Sequence, residues 1–334
     1  MRRTLGPRTH GLTAAVVLAA FLTLSGSCRS DRLPALPAIP PGAFAFGVIG
    51  DTPYFSMEVG RFQRAIEDID RADVRFLIHV GDILWQPCSE QVYEEQRRYM
   101  NEVRCPVIYT PGDNEWTDCH RWIAGGYAPL ERLGSLRRVF FADPRRSLGR
   151  ETMPLVSQAD MKGFEEFVEN RRWIAGASVF ATVHIVGSDN GFRPYRGRTA
   201  VEDGAVERRT QAGLRWIDEA FAQANALSAS AVFLAFHGDP GYRRPSRTSR
   251  GYLALLDRLR AQVAAFKGSV VAIHGDGHHQ YVDHPLRDPS GRTYPNFTRI
   301  ETFGSPDVGW VRVVVDSSTG RILWCEPRLM RVWR

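Results

Sequence analysis

Five apolar runs in this 334-residue chain stop at Gly-Asp, giving Asp51, Asp82, Asp113, Asp239 and Asp276. His237 and His274 stand just before the last two pairs, and His278 and His279 follow the final one. Carboxylate oxygens and neutral imidazole nitrogens gathered together suit hard or borderline divalent ions such as Mn, Fe, Mg or Zn. One carboxylate shared by two such ions makes a two-metal site, which can activate a water and stabilise a displaced oxygen. The glycine permits a sharp turn and close backbone approach. The short aspartate side chain holds a cation near the end of its strand. A single turn of this kind is ordinary. Five of them, each closing a strand-like run, predict a metal site.

Strands and helices must bring those turns together. Strand-like runs at residues 44–49, 75–80 and 106–109 alternate with helical spacing at 57–70 and 89–102. That order predicts a parallel sheet with helices on its faces, and such sheets collect ligands at the carboxyl ends of their strands. Residues 127–138 read as a helix and 143–172 as an irregular connection. A strand is expected at 177–186, then a surface loop at 190–208, rich in Gly and Arg. Leu214, Ile217 and Phe221 mark an amphipathic helix over 207–224. Strands 231–236 and 270–273 flank a helix at 251–266. From 281 onward the pattern is all strand: 281–283, 297–302, 309–315 and 322–325. No linker precedes these, so residues 44–334 read as one domain.

The N-terminus predicts export. A basic start, an apolar stretch and small residues before Cys28 form a signal over residues 1–28. Cys28 is a candidate lipidation site, although Ser25 stands three before it where an aliphatic residue is usual. Residues 29–43 read as a Pro-rich tether. The chain would then be periplasmic or lipid-anchored to a bacterial envelope, meeting a membrane only through that signal or anchor. Export favours disulfides. Cys88 follows the Asp82 turn and Cys119 the Asp113 turn, so a Cys88–Cys119 bond would staple two neighbouring loops. Cys105 and Cys325 remain, paired or as separate buried thiols. Net charge is +6, nearly all of the positive charge being Arg. The arginines form no runs and have no interleaved aromatics, so no nucleic-acid partner is expected.

Read in order, these blocks resemble the calcineurin-like metallophosphoesterase superfamily. Asp51-Thr52-Pro53 stands for its D-x-H, Gly81-Asp82 for its G-D, and Gly112-Asp113-Asn114-Glu115 for its G-N-H-E/D. His237 matches its lone His, and Gly275-Asp276-Gly277-His278 its G-H-x-H. The resemblance covers most of the chain after the signal. It implies a four-layer α/β/β/α sandwich of two mixed sheets, with the metal site at strand carboxyl ends. It also implies two divalent metal ions. Asp82 would bridge them, Asp51 and His278 would help hold the first, and Asp113, His237 and Asp276 the second. The implied activity is hydrolysis of a phosphorylated small molecule or other phosphoester by a hydroxide on the metal pair. The alternative is a non-catalytic metal- or anion-binding protein that keeps the fold.

Three departures from the pattern bear on chemistry. Pro53 replaces a metal-binding His, and Tyr54 beside it can substitute. Asp113 and Asp276 replace neutral ligands, giving four carboxylates, which would neutralise two divalent ions and make a bound water less acidic. Asn114 stands where the family has its leaving-group acid. An amide can donate to a phosphoryl oxygen but cannot act as an acid, a loss on the order of 10²–10⁴ in rate. Asp239 reads as a plain turn. His274 would support a ligand from behind or sit in the core. His79 and His184 read as buried structural histidines, and His120 and His284 as surface ones. Trp85, Trp116 and Trp122 read as packing or pocket lining, and Arg193, Arg196 and Arg198 as a solvated loop or a phosphate clamp.

Overall fold

The computed structural model describes residues 33–84, 87–242 and 250–331. The proposed signal, Cys28 and Trp85 lie outside the described residues. The chain divides into two units, Met1–Ala35 and Leu36–Arg334, and the second carries every element below.

Two mixed sheets form the centre. The first is built from β1 (Ala43–Ile49), β2 (Leu77–His79), β3 (Val107–Tyr109), β11 (Gly309–Asp316) and β12 (Ile322–Leu329), in the order β12-β11-β1-β2-β3. The second contains β4 (Val156–Ser157), β5 (Arg171–Ala175), β6 (Ser178–Thr182), β7 (Ala231–Ala235), β8 (Ser269–His274), β9 (Tyr281–Asp283) and β10 (Phe297–Glu301). Its order is β4-β5-β6-β7-β8-β10-β9. β1, β2 and β3 run parallel, as do β6, β7, β8 and β10, while the remaining pairings are antiparallel.

Strand side chains alternate between faces, and the inward rows of the two sheets share one core. Phe46, Val48 and Ile78 of the first sheet pack with Phe180, Phe233 and Ile273 of the second. Phe46 meets Phe180 and Phe233 edge-on, at centroid distances of 5.4 and 5.7 Å. The outer face of the second sheet is covered by α5 (Ala200–Ala226) and α6 (Arg250–Ala265), through Ile217, Phe221, Leu255 and Leu259. The other helices are α1 (Ser56–Arg71), α2 (Glu90–Glu102), α3 (Pro129–Phe140) and the four-residue turn α4 (Gly187–Asn190). α1 buries Phe62, Ala65 and Ile69 and packs beside β11. The arrangement is the expected α/β sandwich of two mixed sheets flanked by helices.

Some elements differ from the sequence expectations. α5 starts at Ala200, inside the expected loop, because Thr199 and Glu202 form a capping box: the Thr199 hydroxyl accepts from Val201 N, and Glu202 accepts from Thr199 N. β5 begins in the last two residues of the expected irregular stretch and runs beyond it. Its Arg171 looks like a surface residue but is fully buried, donating to the Tyr109 carbonyl at 2.6 Å and lying over the Phe141 ring. β6 ends at Thr182, four residues early, and His184 lies beyond it. β12 runs on to Leu329.

Cys88 and Cys119 are bonded, with their Cα atoms 5.8 Å apart. Cys105 and Cys325 are separate free thiols. Among the described residues no helix is long and apolar enough to cross a membrane.

Candidate metal centre

Five strand ends converge from both sheets. Asp51 follows β1, Asp82 follows β2 and Asp113 follows β3, while His237 follows β7 and Asp276 follows β8. Asp51, Asp82, Asp113 and His237 are buried, and Asp276 is half-buried. Asp51, Asp82, Asp276 and His278 all adopt left-handed backbone, with φ of 53°, 52°, 67° and 60°. Such conformations are uncommon outside glycine, and they cluster where surrounding structure enforces a functional geometry.

The glycines make room for the acids. A Cβ on Gly112 would fall 2.0 Å from Asp82 Oδ1, and one on Gly275 would fall 2.1 Å from Asp51 Oδ2. These two Gly-Asp turns thus clear space for a carboxylate arriving from a neighbouring strand.

Among the described residues, two groups of side chains offer donor atoms within 4.8 Å of one another: Asp51, Asp82 and His237, and Asp113, His237 and Asp276. His237 belongs to both. Its Nδ1 is 2.9 Å from the Val80 carbonyl, a contact that fixes Nδ1 as the protonated nitrogen of the neutral ring and turns Nε2 to the acids. Nε2 lies 3.3 Å from Asp82 Oδ1 and 3.2 Å from Asp113 Oδ1. Neither His237 Nε2 nor Asp113 Oδ1 has an aligned hydrogen-bond partner, although both are buried. Buried polar atoms rarely stay unpaired, so this oxygen and nitrogen set fits divalent cations. Nε2 has a single lone pair, so it can ligate one cation only, and the other group must then rely on its carboxylates.

Backbone amides hold the acids in place. Asp276 N donates to Asp51 Oδ1 at 3.0 Å, Asp239 N to Asp276 Oδ2 at 2.9 Å, and Asn114 N to Asp82 Oδ1 at 3.1 Å. Burial raises Asp51, and raises Asp82 well above the usual carboxylate range, His237 only partly countering it. Burial and the nearby Asp113 push Asp276 up to about 7. Burial works against the charged form of Asp113 too, but His237 and Ser188 outweigh it and lower that residue. Burial alone would depress His237, yet Asp82, Asp113 and Asp51 raise it well above its ordinary value. Crowded, mutually repelling carboxylates of this kind are relieved by a bound cation.

The remaining candidates fall around this cluster. His278 Nε2 lies 3.5 Å from Asp51 Oδ1, and its Nδ1 is 2.6 Å from the Ser305 carbonyl. The Tyr54 hydroxyl donates to Asp82 Oδ2 at 2.6 Å and lies 3.4 Å from His278 Nε2, so it reaches the cluster that Pro53 cannot. Asn114 is buried beside Asp82. His274 is not part of either group: its ring packs against Phe236 and Tyr242, and burial pushes it down to about 4. Asp239 accepts from Gly241 N at 2.9 Å and closes its own turn.

Sequence reasoning missed the supports. Ser188 Oγ lies 2.7 Å from Asp113 Oδ2 and 3.0 Å from Asp118 Oδ1. Ser188, Asp189 and Asn190 form three consecutive left-handed residues, with φ of 50°, 58° and 51°. Asn, Asp and Gly tolerate that conformation best, so the Gly-Ser-Asp-Asn-Gly run was the available signal. Glu115 Oε1 accepts from Ile83 N at 3.1 Å and Tyr109 OH at 3.0 Å, bracing the loops of Asp82 and Asp113. Glu58 accepts from Tyr54 N at 2.8 Å and Ser305 Oγ at 2.5 Å, bracing Tyr54 and His278.

No protein-family model matches the sequence, and no curated protein does. Two solved structures are similar in overall arrangement. One is TT1561 of Thermus thermophilus, at 11% identity and a TM-score of 0.44, covering 86% of this chain and 100% of that one. The other is a novel phosphatase from Mycoplasma pneumoniae, at 10% identity and a TM-score of 0.44, covering 87% of this chain and 94% of that one.

Proposed function

We propose that this protein is a metal-dependent phosphoester hydrolase of the envelope or periplasm. The observation that supports it most is the buried His237 Nε2, which faces Asp82 and Asp113 without an aligned hydrogen bond where turns from two sheets meet. Asp82 is assigned as the bridge between two divalent ions. Asp51 and His278 help hold one ion, and Asp113, His237 and Asp276 are assigned to the other. Bound cations would polarise the phosphoryl oxygens and supply an acidified water.

The chain's own groups then orient the ester. The Asn114 amide donates to a phosphoryl oxygen. Tyr54, with its proton held by burial and by Asp82 and Asp51, donates to Asp82 and fixes that carboxylate. Asn114 cannot protonate the leaving group. Esters with acidic alcohols, such as aryl phosphates, are therefore expected to react fastest. The apolar start of the chain and the Cys88–Cys119 bond support an exported location.

The test is metal counting with turnover. Manganese-loaded protein should hold about two ions per chain and hydrolyse bis(4-nitrophenyl) phosphate. Asp82→Ala should hold less than about one ion, whereas Asp239→Ala should keep about two. A wild-type protein that takes up no manganese would sink the proposal. Metal uptake with no turnover of mono- or diesters would favour a binding protein, a reading to which Pro53 and Asn114 lend support.

A further inference from the structure

Three carboxylates of the cluster are held by backbone amides of the Gly-Asp turns and their neighbours: Asp51 by Asp276 N, Asp82 by Asn114 N and Asp276 by Asp239 N. Asp113 is met by a side chain from outside those turns, the Ser188 hydroxyl 2.7 Å from Oδ2. That hydroxyl also lies 3.0 Å from Asp118 Oδ1, but it has one proton to give. Arg121 already pairs with Asp118 at 2.6 Å, so the proton goes to Asp113, the shorter contact.

Ser188 reaches Asp113 on an unfavourable backbone. It opens the run of three left-handed residues, and for a side-chain-bearing residue that conformation brings Cβ against the following carbonyl. Asn and Asp tolerate it better than Ser does. Such residues persist only where the surrounding structure over-determines them, and here two helices do so. From α5, the buried Arg209 donates to the carbonyls of His184 and Asn190 and to Asn190 Oδ1 at 2.8 Å. From α6, Gly251 N donates to Asp189 Oδ1 at 2.7 Å and the Tyr252 hydroxyl to the Val186 carbonyl at 2.7 Å. The turn is also pressed onto the cluster. A Cβ on Gly187 would fall 2.3 Å from Asp113 Oδ1 and 2.7 Å from Asp276 Oδ1.

We propose that Ser188 is a positioning residue for the metal centre: α5 and α6 hold the Gly187–Asn190 turn in a strained form so that its hydroxyl fixes one oxygen of Asp113 and leaves the other for a cation. Asp113 Oδ1, the oxygen left over, is the one that faces His237 Nε2. The proposal rests on the metal-dependent reading above. It adds that one ligand is oriented by strain stored in a segment that supplies no ligand itself.

Two substitutions separate the hydroxyl from the strain. Ser188→Gly and Ser188→Ala both lose the hydroxyl, but only glycine relieves the backbone. Both variants should bind manganese about tenfold or more weakly than the wild type, the scale of losing a group that orients a metal ligand. Without metal, Ser188→Gly should melt about 1–2 °C above Ser188→Ala. A merely structural hydroxyl would lower Tm in both variants and leave manganese affinity unchanged. Wild-type manganese affinity in Ser188→Gly therefore overturns the proposal, and so does a Tm for Ser188→Gly no higher than that for Ser188→Ala. Either result in a protein whose wild type binds manganese leaves the metal-dependent reading intact. A wild type that takes up no manganese overturns that reading and this proposal with it.

Discussion

His184 shows how a buried imidazole sets a pH limit on the fold. Its Nδ1 lies 2.6 Å from Glu169 Oε1, and Arg137 binds the same carboxylate at 2.8 Å. Burial pushes His184 down to about 4, and Glu169 only partly opposes this. Burial would raise Glu169, but Arg137 and His184 outweigh it and hold it below the carboxylate range. The unfolded chain has an ordinary histidine near 6.5. Between pH 6.5 and about 4 the unfolded chain therefore takes up a proton that the fold excludes, and stability falls as pH drops, by about 3 kcal/mol at most for this residue. Glu169 adds a further loss below its unfolded pKa of about 4.5, because its stabilising charge is present only above that range. Urea midpoints at about pH 7.5 and 5 should therefore separate in the wild type and lie closer together in His184→Gln. An equal separation in both would show that another group titrates.

The turns between elements carry the site, and they also mark how far sequence could be read. The Gly-Asp pairs were legible because each closes an apolar strand, and the cysteines because each follows one of those turns. Ser188 was not legible. Its role depends on three left-handed residues that hold its hydroxyl against Asp113, a geometry with no periodicity. β5 was hidden because Arg171 and Arg172 open it, and only the fold shows that Tyr109 and Phe141 receive the first of them. The start of α5 was readable from Thr199 and Glu202, but glycines and arginines around them dominated the pattern. At this scale the close approach of Gly275 to Asp51 gives a test. Gly275→Ala would place a methyl 2.1 Å from Asp51 Oδ2, so the loop or the carboxylate must shift. The expected outcome is a stability loss of about 1–3 kcal/mol together with lost manganese binding. Wild-type manganese affinity in this variant would show that Asp51 is not needed for the metal.

Across the whole molecule, six arginines among the described residues are buried and brace the interior. Arg209 donates to the carbonyls of His184 and Asn190, Arg312 to Pro37 and Glu326, and Arg328 to Asp68. Metal binding should act on the molecule as a whole. Manganese at about a hundred times its dissociation constant should add about 2.7 kcal/mol of stability, visible as a rise in Tm that EDTA reverses. A Tm indifferent to manganese in protein shown to contain it would mean that the ion sits at the surface, away from these strand ends.

The donors are divided between two sheets, three loops from one and two from the other. Between the sheets lies a layer of phenyl edges and aliphatic side chains, Phe46 against Phe180 and Phe233 among them. Greasy layers resist separation far better than they resist sliding, since apolar attraction has no preferred direction. Oxygen and nitrogen atoms around an ion do have one. A cation seated on Asp82 and His237 would work as a set screw driven through the seam, and the two slabs would keep their alignment for as long as it stayed in place.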